Sequence, residues 1–203
     1  MGKNDYQEDL EYLYSELRKH PAIIVDEKKK TELETLYLAK EVTVCNYDSF
    51  IDAATELTSF FQDGHTNIEI PYTSTDLCLK LKGRWGGENC EELILEKVYE
   101  NIPEHSRIVC VEGMSIQEVV EALAERIPHE NIYLVKSRMV QYPYQNYHIF
   151  SEMNLKRLFG YKESYTVTFV VDGKLIKKDI PLMPYITPGR ISASGTRPKA
   201  SMP

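Results

Sequence analysis

Long apolar runs are missing from this 203-residue chain, and its start, Met1-Gly2-Lys3-Asn4-Asp5, carries no hydrophobic leader. Neither a membrane span nor an export signal is therefore expected. The chain reads as cytoplasmic, with an extracytoplasmic location as the alternative if a signal has been removed. Basic residues are not in excess: 24 Lys plus Arg against 31 Asp plus Glu leave a formal charge of -7. That charge gives no footprint for nucleic acid or anionic lipid. Cysteine is scarce and unpatterned. Cys45, Cys78, Cys90 and Cys110 show no C-x-x-C spacing, and a chain of this length needs no disulfide to hold a core, so reduced thiols are expected. The five histidines are scattered, so no zinc site is expected, and no cofactor. Gly83 to Gly87 lacks the lysine and following helix of a phosphate loop.

What is present is enough apolar residue, 42%, to bury one ordinary core or two small ones. Leu10, Leu13, Tyr14 and Leu17 fall at helical spacing and predict a helix over 5–19, stopped by Pro21. Similar stripes predict helices over 27–40 (Leu33, Leu36, Tyr37) and 47–61 (Phe50, Ala53, Ala54, Leu57, Phe61), together an N-terminal three-helix bundle over 1–64. After Gly64 the period changes to two. Ile68 and Ile70, then Leu77, Leu79 and Leu81, alternate with polar neighbours and predict strands, with a glycine-rich turn around Trp85. Strands are expected over 93–99 and 107–112. Ser115 and Glu118 form a capping-box pattern ahead of a helix to Arg126. The tyrosine-rich stretch 131–160 predicts helix broken at Pro143. Asp172-Gly173 between two apolar runs predicts a tight hairpin, 165–171 with 174–182. The class is α+β, with a small mixed α/β module over 65–183 and a linker over 184–203.

One segment stands out chemically. Phe60-Phe61-Gln62-Asp63-Gly64-His65-Thr66-Asn67 sets a histidine where a helix gives way to a strand. A left-handed Gly64 would close the helix and leave His65 near its negative end, which favours the imidazolium a general base becomes, with Asp63 or Thr66 able to fix its tautomer. The same placement suits a plain charge partner or turn residue. Tyr133, Tyr142, Tyr144, Tyr147, Tyr161 and Tyr165 with Trp85 suit either a peptide groove or ordinary packing.

Asp63-Gly64-His65-Thr66, following a helical segment with Tyr47-Asp48-Ser49-Phe50, resembles the D-G-H-T signature of the S41 serine peptidases, the group of tail-specific, tricorn-type and lantibiotic-resistance proteases. Val109 to Leu123 is similar to that family's strand, I-N-G-x-x-I, helix segment, with Glu112-Gly113 in place of Asn-Gly. The resemblance implies a PDZ-like or cap module and a general-base role for His65, supported by Asp63, Gly64 and Thr66, in members that use Ser-His and not Ser-Lys. It further implies a peptide or unfolded protein tail as substrate. The family's nucleophile segments, similar to T-S-S-A-A-E and D-x-R-x-N-x-G-G, have no counterpart here; Ser192, Ser194, Ser74 and their neighbours read as loop. The serine is therefore expected from a C-terminal catalytic domain or companion chain, and this chain alone is expected to be inactive. The alternative is a non-catalytic peptide-binding or regulatory module.

Overall fold

A computed structural model describes residues 3–141 and 144–185. Four helices come first: α1 (Asp5–Leu17), α2 (Pro21–Ile24), α3 (Glu27–Glu41) and α4 (Tyr47–Ser59). Each start is written in the sequence as a cap. Asn4 and Asn46 make capping boxes with Gln7 and Ser49, and Asp26 accepts from the Lys28 and Lys29 amides. Pro21 does not simply stop a helix; it opens α2 as its first residue, where a missing N–H costs nothing, and His20 caps it. The apolar stripes meet in one core of Leu10, Tyr14, Leu17, Ile23, Leu33, Tyr37, Ala53, Ala54 and Leu57, with Tyr14 and Tyr37 stacked at 4.1 Å.

The rest is an antiparallel sheet with helices against it. The strands are β1 (Leu77–Leu79), β2 (Gly83–Gly86), β3 (Glu92–Leu95), β4 (Arg107–Val111), β5 (Met114–Ser115), β6 (Ser164–Val171) and β7 (Lys174–Pro184). They run in the order β1-β7-β6-β4-β3-β2, with β5 paired to β4. Helices α5 (Ile116–Ala124), α6 (Ile132–Val140) and α7 (Glu152–Phe159) complete the elements among the described residues. A larger core joins sheet and helices through fully buried Leu93, Val120, Val135, Tyr165, Val167 and Phe169. Each such apolar side chain contributes about 1.5–3 kcal/mol by leaving water.

The hairpin forms as the Asp-Gly pair predicts. Asp172 and Gly173 have φ of 48° and 76°, and Val171 pairs with Lys174. A second two-residue turn, Glu112-Gly113, has the same positive φ signs and sends β4 back into β5. Ser115 then caps α5 through the expected capping box with Glu118.

Three stretches depart from the sequence pattern. Ile68 and Ile70 are not in a strand, because side chains satisfy that backbone: Asn146 Nδ2 and Tyr147 Oη donate to the Ile68 carbonyl at 2.8 and 2.7 Å, and Asn146 Oδ1 accepts from the Ile70 amide. The glycines around Trp85 make strand β2, not a turn. Gly83 and Gly86 face Leu93 and Ile94 so closely that a Cβ at either would lie under 3 Å from them. The expected linker starts later than 184, since Pro184 pairs with Leu77 and Tyr185 is buried on Tyr72, rings 4.1 Å apart. The remainder of that segment, and the helix break at Pro143, lie outside the described residues.

Ion pairs link α4 of the helical core to the sheet and its helices. Asp48 pairs with Lys156 and Glu56 with Arg126, at 2.9 and 2.8 Å, and Asp52 pairs with Arg157. Acidic side chains on successive turns of α4 therefore face basic ones from α7 and from the segment just after α5.

Candidate functional site

The segment after α4 holds the site. The helix ends at Ser59, and the Phe60, Phe61 and Gln62 amides donate back to Glu56, Thr58 and Ser59 carbonyls. The left-handed residue is Gln62, φ 48°, and not Gly64. His65 thus stands beyond the last turn, where the helix dipole has faded, so the dipole argument for a stabilised imidazolium does not carry over.

Asp63 builds the loop instead. Its Oδ1 accepts the His65 backbone N–H at 2.9 Å and its Oδ2 accepts the Thr66 hydroxyl at 3.0 Å, while the Thr66 amide donates to the Asp63 carbonyl. The His65 amide first, then Thr66 and His20, hold the Asp63 carboxyl below the usual carboxylate range. These oxygens serve the backbone and a hydroxyl; they do not bond the His65 ring. That imidazole is exposed and makes no hydrogen bond among the described residues.

Other elements fix the loop from outside. Gly64 donates its amide to Glu130 Oε1 at 3.0 Å, and its carbonyl accepts from Arg138 at 2.7 Å and from Asn67 at 3.0 Å. Arg138, on α6, also donates to the Pro128 carbonyl and lies over the Tyr147 ring. From the α1–α2 junction, His20 Nδ1 accepts the Ala22 amide, so its proton is on Nε2, which faces Asp63 Oδ2 at 3.6 Å. A glycine is needed at 64 for closeness, not for φ. A Cβ there would lie 2.9 Å from Leu134 Cδ2 and 3.1 Å from both Glu130 oxygens. Gly64→Ala is expected to push Glu130 off the amide at a cost of about 1 kcal/mol, readable as a lower urea midpoint.

The described tyrosines divide between core and surface. Tyr147 and Tyr165 are core, Tyr133 and Tyr161 are exposed, and Tyr142 lies outside the described residues. A cleft of about 690 Å³ is lined by Lys40, Glu56, Phe61, Gln62 and Arg126 among others, beside the motif but without His65. The four cysteines are free thiols, and no helix among the described residues is long and apolar enough to cross a membrane. Sequence reading gave no sign of Glu130, Arg138 or His20 at this site, because they lie far along the chain in unremarkable local contexts. It equally passed over His148, which is fully buried with Nδ1 2.8 Å from the Tyr72 hydroxyl.

No protein-family model matches the sequence, and no curated protein does. The fold is similar to solved structures of CPAF, a chlamydial serine protease. Mature CPAF aligns with TM-score 0.57 at 12% identity, over 89% of this chain and 35% of that one. A CPAF point mutant (TM-score 0.56, 12% identity, 89% and 34%) and mature CPAF complexed with lactacystin (0.56, 12%, 89% and 35%) align in the same way. The chain spans about a third of the length of these structures, and at 12% identity the likeness is one of fold.

Proposed function

We propose that this chain is the base-bearing part of a serine-type peptidase of the S41 kind. The observation that carries the reading is His65. It is exposed on a loop pinned from three directions, within a fold like part of a serine protease. A general base must come within about 3 Å of the hydroxyl it deprotonates, so it has to be open to a nucleophile brought from elsewhere. His65 meets that need, because its ring is free while its backbone is held. In this reading residues 1–64 form the helical bundle, 65–185 a cap or PDZ-like module, and the segment after 185 a linker. Asp63, Gly64 and Thr66 support the base by shaping its loop. The serine comes from a catalytic domain or companion chain, and the substrate is a peptide or unfolded tail that pairs its main chain with a sheet edge.

Peptide hydrolysis tests this. It is measured for the 203-residue chain, for the chain joined to or mixed with a serine-bearing catalytic domain, and for that active form carrying His65→Ala. The reading requires cleavage only where the serine is supplied, and its loss on substitution. Equal cleavage with and without His65 overturns it and leaves a peptide-binding module as the better account.

A further inference from the structure

The histidines are scattered in the sequence, yet the fold gathers a mixed donor set around His65. The His65 ring, the Asp63 carboxylate and the Glu130 carboxylate come from two loops 65 residues apart, and their ligand atoms lie within 4.8 Å of one another. We infer that these three side chains form a Zn2+ site that, when filled, takes the His65 imidazole out of service.

Several features fit a cation. One imidazole and two carboxylates make the nitrogen and oxygen set zinc accepts, with a fourth position left for water. Ligands on one zinc ion stand about 3 to 4 Å apart, so the exposed His65 and Glu130 side chains need to close in by roughly 1 Å. Glu130 is already drawn over the loop by the Gly64 amide, through the space a Cβ at 64 would fill. The His65 ring has no competing hydrogen bond among the described residues. Arg138, the cation beside the loop, gives its donors to the Gly64 and Pro128 carbonyls and not to either carboxylate.

His20 has a different part. Its Nδ1 is occupied by the Ala22 amide, so its Nε2 carries a proton and cannot bind metal. It stands behind Asp63 with its Nε2 3.6 Å from Oδ2, an outer partner placed to orient the ligating carboxylate. With a neutral imidazole, the two carboxylates balance the ion's two charges, and Zn2+ would compete directly with any serine hydroxyl for the same nitrogen.

The consequence for catalysis rests on the base role proposed above, but the site does not. Zn2+ titration of the 203-residue chain by calorimetry reads binding directly, with Co2+ as a spectroscopic substitute. One saturable site is expected, at least tenfold weaker in Glu130→Gln, lost in His65→Ala, and 10- to 100-fold weaker in His20→Phe. His105→Ala, at a separate histidine beside Glu104, should leave binding unchanged. Circular dichroism confirms that each variant is folded. Absence of saturable binding, or affinity unchanged by both Glu130→Gln and His65→Ala, overturns the inference. Where the active form cleaves peptides, Zn2+ should inhibit it and a chelator restore it. Binding without any cleavage would instead strike the peptidase reading and leave the metal site standing.

Discussion

His65→Ala is expected to slow peptide cleavage by the serine-supplied form by about two to four orders of magnitude, the usual contribution of a general base. The loss should fall on kcat with KM little changed, because the imidazole takes a proton in the transition state and does not hold the ground-state peptide. The folded state should barely notice. The ring is exposed and makes no hydrogen bond among the described residues, so the change in unfolding free energy should stay within about 0.5 kcal/mol. Asp63→Ala is the contrast. It removes the acceptor for the His65 amide and the Thr66 hydroxyl, so about 1–2 kcal/mol of stability goes together with activity. A denaturation curve and a progress curve on the two variants therefore separate a base from a turn residue. If His65→Ala unfolds as readily as Asp63→Ala while cleavage persists, the histidine is structural.

How far these features were legible in the sequence depends on how local their causes are. Helices α1, α3 and α4, the Ser115–Glu118 box and the Asp172-Gly173 hairpin follow from contacts three or four residues apart, or from φ preferences of single residues, and appear close to where the pattern places them, whereas α2, opened by Pro21, was not expected. Strand β2 was hidden because its glycines are selected by what lies across the sheet, Leu93 and Ile94, and not by a turn. The stretch at Ile68 and Ile70 carries a strand's alternation but has its backbone satisfied by Asn146 and Tyr147, nearly eighty residues on. The site shows the same division. Asp63, His65 and Thr66 form a local turn and were visible as a motif. Glu130, Arg138 and His20 reach it through tertiary contacts that no spacing announces. Gly64, expected as a left-handed helix cap, is glycine for a long-range reason instead, the approach of Glu130 and Leu134.

Acidification is expected to weaken the fold through His148, far from the candidate base. The imidazole is completely buried, and loss of water around its charged form pushes its pKa down to about 4 from the ordinary 6.5. It sits behind the Tyr72 hydroxyl, with the Phe150 ring edge-on at 6.0 Å and Tyr72 itself against Tyr185. The unfolded chain takes up a proton here as pH falls through 6.5, whereas the folded chain resists until about 4. The folded state thus binds fewer protons across that window, and stability present above pH 6.5 is lost as pH falls towards 4. The loss is about 2 kcal/mol by pH 5 and roughly 3 by pH 4. Urea unfolding at about pH 7.5 and pH 5 brackets the effect before most carboxylates titrate. His148→Gln keeps a polar partner for Tyr72 without a titrating ring, so its unfolding free energy should change by less than about 0.5 kcal/mol between those two pH values. An equal loss in both proteins would mean that His148 is protonated in the folded state, or that other groups carry the acid sensitivity.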